Sequence, residues 1–161
     1  RSKIKSNQII FGNRSKINKQ KLRDKIFIQL AENISQLSNC KTRNVGAILV
    51  RDNMILSTGY NGTPKKILDC NKGGCKRCNN KHNSGNLQDC ICIHAEMNCI
   101  LQAALNGIST KNSIIYCTNK PCNDCIKNCI NAGVLKIYYK NEYPTILNIK
   151  LLKNIEVIKY L

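Results

Sequence analysis

Tryptophan is absent from this chain of 161 residues, and six tyrosines and two phenylalanines are its only aromatics. A groove for single-stranded nucleic acid interleaves basic residues with rings on which bases stack. At 5% aromatic content the chain has little from which to build one. No apolar stretch approaches the roughly 20 residues that a membrane-spanning helix needs, so a membrane is not an expected partner. No internal repeat points to a solenoid, and no secretory-signal pattern is present. The chain opens on Arg1 rather than Met. The expectation is a processed end or a boundary there, with any targeting segment lying upstream.

Acidic residues are also scarce, nine against 26 Lys and Arg, for a formal net charge of +17. Such an imbalance attracts nucleic acid, an acidic membrane surface or a phosphorylated small molecule. The basic residues are scattered, however, and the chain is rich in Lys, Asn and Ile together, the drift an A/T-rich genome produces. The charge therefore reads as composition, and nucleic acid is not the expected partner. Eleven cysteines are the opposite case, an abundance. Their odd number, clustered spacing and lack of a signal argue against a secreted disulfide scaffold. Thiolates on metal, in a reducing cytoplasmic compartment, fit better.

The length suits one domain with a real core. Positions 1–20 are basic and polar and are expected to form a flexible arm, with the domain over 21–161. Leu22, Ile26, Leu30, Ile34 and Leu37 recur at helical spacing and predict a helix over 21–37. Val45–Val50, a turn at Asp52-Asn53 and Met54–Tyr60 predict a β-hairpin. Helices are expected over 94–105, with Met97, Ile100, Leu101 and Ala104 inward, over 121–131 with Pro121 in the first turn, and over 144–153. Strands are expected over 113–118, 134–139 and, at an edge, 156–160. That order predicts an α/β fold, a sheet with helices packed on it. The stretch 61–92 is different. It is polar and glycine-marked, carries five cysteines, and needs something other than apolar burial to order it.

Two short strings carry the chemistry: Cys92-Ile93-His94-Ala95-Glu96 and Pro121-Cys122-Asn123-Asp124-Cys125. Catalytic zinc takes three protein ligands and keeps a fourth position for water. His94, Cys122 and Cys125 supply three, each string opening a predicted helix, where free backbone N–H groups favour thiolate. Zinc lowers the pKa of its water. Glu96 can take that proton and pass it to a ring nitrogen and then to a leaving amine. A closed structural zinc site is the alternative for the three ligands, but it has no use for Glu96. His-x-Glu followed by Pro-Cys-x-x-Cys is the signature of zinc nucleobase deaminases.

The chain resembles the cytidine/deoxycytidylate deaminase superfamily over about Leu22–Tyr139, and most closely its deoxycytidylate deaminases. The further matching strings are Val45-Gly46-Ala47, Gly59-Tyr60-Asn61-Gly62-Thr63-Pro64, Gly73-Gly74-Cys75-Lys76-Arg77-Cys78 and Ala104-Leu105-Asn106-Gly107. The resemblance implies a three-layer α/β/α cytidine-deaminase-like fold with a mixed central sheet flanked by helices. It implies zinc-dependent hydrolysis of dCMP to dUMP and ammonia, which feeds thymidylate synthesis. It also implies a homo-oligomer, often a hexamer, with dCTP and dTTP as effectors. Asn61 would contact the sugar and the backbone of Ala95 the pyrimidine edge.

Some members bind a second, structural zinc, and the matching positions are Cys40, Cys70 and Cys92, with Cys75, Cys78 or Cys90 as fourth ligand. A closed tetrahedral site of this kind would order the polar 61–92 loop. Cys99, Cys117 and Cys129 read as small buried apolar residues. The chain departs from the family pattern at Leu105, where many relatives are basic. Lys120 is a substitute cation near Pro121, or else a solvated one. A deaminase acting on tRNA or single-stranded nucleic acid is the competing activity, supported by charge alone.

Overall fold

The computed structural model describes residues 19–81, 83 and 89–161. The arm expected over 1–20 lies outside them except for Lys19 and Gln20, which begin the first helix, α1 (Lys19–Ser35). A hairpin follows, β1 (Gly46–Arg51) and β2 (Met54–Tyr60). Asp52 and Asn53 turn it with φ of 51° and 63°, the paired left-handed geometry that two-residue hairpins require. After the cysteine-rich stretch, which holds a 3-10 turn (Cys70–Lys72) and the one-turn helix α2 (Lys76–Asn79), come α3 (Ala95–Leu105), β3 (Ser113–Asn119), α4 (Asn123–Asn131), β4 (Val134–Asn141), α5 (Ile149–Leu152) and β5 (Glu156–Lys159). Among the described residues no helix is long and apolar enough to cross a membrane.

The five strands form one mixed sheet in the order β2-β1-β3-β4-β5. β1 runs antiparallel to both β2 and β3, while β3, β4 and β5 are parallel. Successive residues of a strand face opposite sides, and β1 shows it directly. Ile48 and Val50 join Phe27, Ile28 and Ala31 of α1 and Tyr116 on one face. Ala47 and Leu49 join Ala95, Cys99 and Ala103 of α3 and Ile126 and Cys129 of α4 on the other. The sheet is thus the middle of three layers, the arrangement that the family resemblance implies. Tyr116 stacks on Tyr138 with ring centroids 5.0 Å apart and meets Phe27 at 5.1 Å. Cys99, Cys117 and Cys129 are buried, as expected.

Three sequence expectations need correction. In α1 the inward face is Asp24, Phe27, Ile28 and Ala31, while Leu22 and Ile26 are each 44% exposed. The four-residue steps from Leu22 to Ile34 drift around a helix of 3.6 residues per turn, so Leu22 and Ile26 stay outside while Leu30 and Ile34 pack at the edge of the core, and Leu37 lies beyond the helix end. In α3, Leu101 and Ala104 face outward, and the buried residues are Ala95, Glu96, Cys99 and Ala103. Small residues are needed because the helix lies directly on β2: a Cβ added to Gly59 would sit 2.2 Å from the Ala95 carbonyl oxygen. The helix expected over 144–153 shrinks to Ile149–Leu152. Asn148 caps it, accepting from the Lys150 N–H, and Asn123 of α4 holds the preceding extended segment through Ile146 and Asn148.

Candidate active site

The topology gathers one end of the sheet. Gly46, at the start of β1, pairs with Tyr60 at the end of β2, and Asn119 and Asn141 end β3 and β4 at the same edge. A cavity of about 370 Å³ opens there, lined by Val45, Asn61, His94, Ala95, Glu96, Asn119 and Cys122. In α/β sheets, ligands bind outside the carboxyl ends of parallel strands, here β3 and β4.

Two helix starts aim at this cavity. His94 is the N-cap of α3 and Cys122 that of α4, so these helices begin one residue after them, and Pro121 lies ahead of α4 rather than in its first turn. Cys122 Sγ accepts from the Cys125 N–H at 3.5 Å, as a Ser or Asp oxygen does at an N-cap. The Cys-x-x-Cys spacing therefore places both sulfurs on the first turn. His94 Nδ1 lies 3.5 Å from Cys122 Sγ and 3.3 Å from Cys125 Sγ. Ideal zinc–nitrogen and zinc–sulfur bonds at a tetrahedral angle give an N···S edge of about 3.6 Å. One imidazole and two thiols at these separations fit zinc and leave its fourth position to water or substrate.

Electrostatics agree with the donor set. A hydrogen bond from the Cys125 thiol, with help from His94, brings Cys122 down to a pKa of about 4 despite its burial. The same bond, together with burial, holds Cys125 well above its ordinary value. The hydrogen bond to Cys122 outweighs burial at His94 and raises it. Glu96 is 4% exposed, and burial raises its carboxyl above the ordinary carboxylate range. A buried, raised carboxyl beside a metal donor set has the character of a proton carrier.

Asn61 and Ala95, the expected substrate contacts, both lie in the cavity wall. Asn61 is also a scaffold: its Oδ1 accepts from the Val45 N–H at 2.8 Å and the Ser38 hydroxyl at 2.7 Å, and its Nδ2 donates to the Arg43 carbonyl at 2.8 Å. One Nδ2 hydrogen is left for a ligand. Lys120 lines the cavity and pairs with Glu142 at 3.6 Å. Leu105 lies 68% exposed on the last turn of α3, apart from the cavity lining. Residues the sequence analysis missed are Arg43, which also lines the cavity and rests on the Tyr143 ring at 4.6 Å, and the braces Ser38 and Asn39. Asn39 donates to Asp69 Oδ1 at 2.9 Å and so ties the end of α1 to the loop. A lone Arg among 26 basic residues carries no sequence signal.

The six remaining cysteines also come together. Cys40, Cys70, Cys78 and Cys92 form one group with all sulfurs within 4.8 Å, and Cys75, Cys78, Cys90 and Cys92 form a second. Cys78 thus joins the expected Cys40, Cys70 and Cys92. Burial lifts Cys70 and Cys90 to about 11. At Cys78 burial is outweighed by hydrogen bonds from Thr42, Cys75, Cys70 and Arg77, and its pKa falls to about 6. The loop closes through Gly73, whose φ of 104° suits glycine, and Gly74, where a Cβ would lie 1.7 Å from the Leu68 carbonyl oxygen.

Residues 21–141 match the model of the cytidine and deoxycytidylate deaminase zinc-binding region. The chain belongs to this family. It is 40% identical over 121 residues to the deoxycytidylate deaminase of Schizosaccharomyces pombe, covering 74% of this chain and 37% of that one. With the Saccharomyces cerevisiae deoxycytidylate deaminase it shares 38% over 120 residues, 74% of this chain and 38% of the other. The chain thus spans under two-fifths of the length of these curated relatives. Its fold matches the crystal structure of a cyanophage S-TIM5 dCMP deaminase in complex with dCMP and dUMP, with a TM-score of 0.71 and 37% identity over 84% of this chain and 95% of that one.

Proposed function

We propose that this deaminase-family chain hydrolyses dCMP to dUMP and ammonia, supplying dUMP for thymidylate synthesis. The observation that carries the reading is the buried Glu96 beside a three-donor nitrogen–sulfur set at one cavity. Similarity to deoxycytidylate deaminases over most of the chain supports the choice of substrate.

His94, Cys122 and Cys125 would hold zinc, which when bound supplies Lewis acidity and makes hydroxide available near neutral pH. Glu96 takes a proton from the attacking water and delivers it to ring N3 as oxygen adds to C4. It then carries the second proton to the exocyclic amine, the C4–N bond breaks, and ammonia leaves. The remaining hydrogen of Asn61 Nδ2 meets a sugar hydroxyl, and the backbone of Ala95 the pyrimidine edge. Because Asn61 also holds the Arg43 carbonyl, sugar recognition and the basic rim of Arg43, Arg77 and Lys120 form one unit. That rim is the place for the dianionic phosphate. A homo-oligomer with dCTP and dTTP as effectors belongs to the same reading, with any contact that relatives make through a basic residue at the position of Leu105 absent or replaced.

The test is ammonia release from dCMP, deoxycytidine, dCTP and single-stranded DNA side by side. Turnover of dCMP well above the others is expected. No turnover of any free nucleotide, with salt-sensitive binding of DNA or RNA, would replace this reading with a polynucleotide deaminase.

A further inference from the structure

The two four-cysteine groups share Cys78 and Cys92. Two separate four-thiolate zinc sites need eight sulfurs; two tetrahedra that share an edge need six. The chain offers six here. We propose that the insert binds a pair of zinc ions bridged by the thiolates of Cys78 and Cys92, with Cys40 and Cys70 as terminal ligands of one ion and Cys75 and Cys90 of the other. The inference is independent of the substrate and adds one ion to the single structural zinc that the family resemblance implies.

The distances favour metal over disulfide. Cys40–Cys78, Cys75–Cys90 and Cys78–Cys90 have Sγ separations of 4.0, 3.9 and 3.9 Å. A zinc–sulfur bond of about 2.3 Å gives a tetrahedral S···S edge of about 3.8 Å, whereas a disulfide is about 2.05 Å long. The bridging assignment also follows from membership. The six sulfurs do not make one group; Cys78 and Cys92 alone fall in both, and the terminal pairs fall one in each. A single zinc in either group would leave a pair of thiols without metal, including Cys75 or Cys70, each fully buried.

Backbone and charge fit the same picture. Asn79 Nδ2 donates to the carbonyls of both Cys70 and Cys75 at 2.9 and 2.8 Å, clamping a terminal ligand of each ion. The Lys41 N–H points at Cys70 Sγ at 3.5 Å, and Arg77 reaches the shared Cys78 Sγ at 4.0 Å. Two zinc ions on six thiolates carry roughly two net negative charges where two separate sites would carry four, and the surrounding loop is basic. A polar loop with little core is ordered by such a closed cluster.

Native mass spectrometry of the zinc-replete chain should count three zinc ions, falling to two in Cys122→Ser, which loses only the ion at the cavity. Cys75→Ser should lose one cluster ion. Cadmium-113 replacement of the parent protein, which needs no variant to fold, should give two resonances in the four-thiolate range that couple to each other through the shared sulfurs. Two zinc ions in the parent protein, or two cluster resonances without mutual coupling, would overturn the bridged pair. Neither outcome depends on whether dCMP is turned over.

Discussion

Replacing Glu96 by Gln keeps the size and shape of the side chain and removes its ability to accept a proton. A single acid–base contribution is worth about 10²–10⁴ in rate, or about 3–5 kcal/mol. Here one carboxyl serves two deliveries, to N3 and to the amine, and its 4% exposure leaves little room for bulk water to substitute. The fall in kcat with dCMP should therefore reach at least ~10³-fold. Stability separates this from damage. Burial raises the Glu96 carboxyl above its ordinary 4.5, so the folded protein binds more protons than the unfolded chain between that value and the raised one. Stability then falls as pH rises through the window. Gln carries no such cost. In metal-free protein at pH 7 the variant should melt no lower than the parent, and the difference should vanish as the pH drops below 4.5. The assay is ammonia release with zinc counted on the same sample. Turnover within tenfold of the parent, at equal zinc content, would refute the role of Glu96.

Zinc affinity at the cavity should weaken on acidification. Cys122 is already a thiolate near neutrality, so binding displaces the proton of Cys125 and, as the pH falls, that of His94, whose pKa is raised, and each proton released costs about tenfold in affinity per pH unit. Chelator competition between pH 8 and 6 measures the slope, and a flat profile would contradict the assignment. Arg43→Ala should raise KM for dCMP about 10–100-fold, as loss of a charge-assisted contact of ~1.5–3 kcal/mol implies, while leaving deoxycytidine unaffected. Gly59→Ala forces a Cβ toward the Ala95 carbonyl at 2.2 Å. It should destabilise the fold by about 1–3 kcal/mol and, by shifting the start of α3, lower activity by about 10²; an unaffected enzyme would show that β2 and α3 can part freely. Tyr116→Phe removes the 2.7 Å bond to the buried Asp24 carboxylate and should cost about 1–3 kcal/mol in denaturant unfolding.

That His94, Cys122 and Cys125 would meet was legible because metal chemistry restricts residue type and because both strings open helices, where spacing in sequence and position in space are nearly the same thing. Cys122 and Cys125 need only one helical turn to meet. The faces of α1 and α3 were less legible for opposite reasons. In α1 the face that meets the sheet, Phe27, Ile28 and Ala31, is offset from the Leu22–Ile34 stripe, and in α3 the contact selects Ala and Cys, which carry little hydrophobic signal. Arg43 could not be read at all, since its role depends on a carbonyl held by Asn61 and on a ring 100 residues later in the chain, Tyr143.

The cysteine insert lies between these cases: Cys40, Cys70 and Cys92 were named together from the sequence with Cys75, Cys78 or Cys90 open as a fourth, and how the six group was not legible. The cysteines at 40, 70, 75, 78, 90 and 92 come from three separate backbone passages, and spacing says nothing about which meet. The structure joins them through Cys92-Ile93-His94. Ile93 exchanges backbone hydrogen bonds with Gly62 at 2.8 and 3.2 Å. In an extended segment residues two apart lie on the same side, so Cys92 reaches the cluster and His94 the cavity from one pinned strand. Cys40, Cys78, Cys90 and Cys92 accordingly line the same cavity as Glu96. The loop that cannot order itself by apolar burial therefore forms a wall of the site. Its ordering is a condition for the shape of the cavity that Asn61, Ala95 and Glu96 line, and this accounts for so many cysteines in a stretch with so little core.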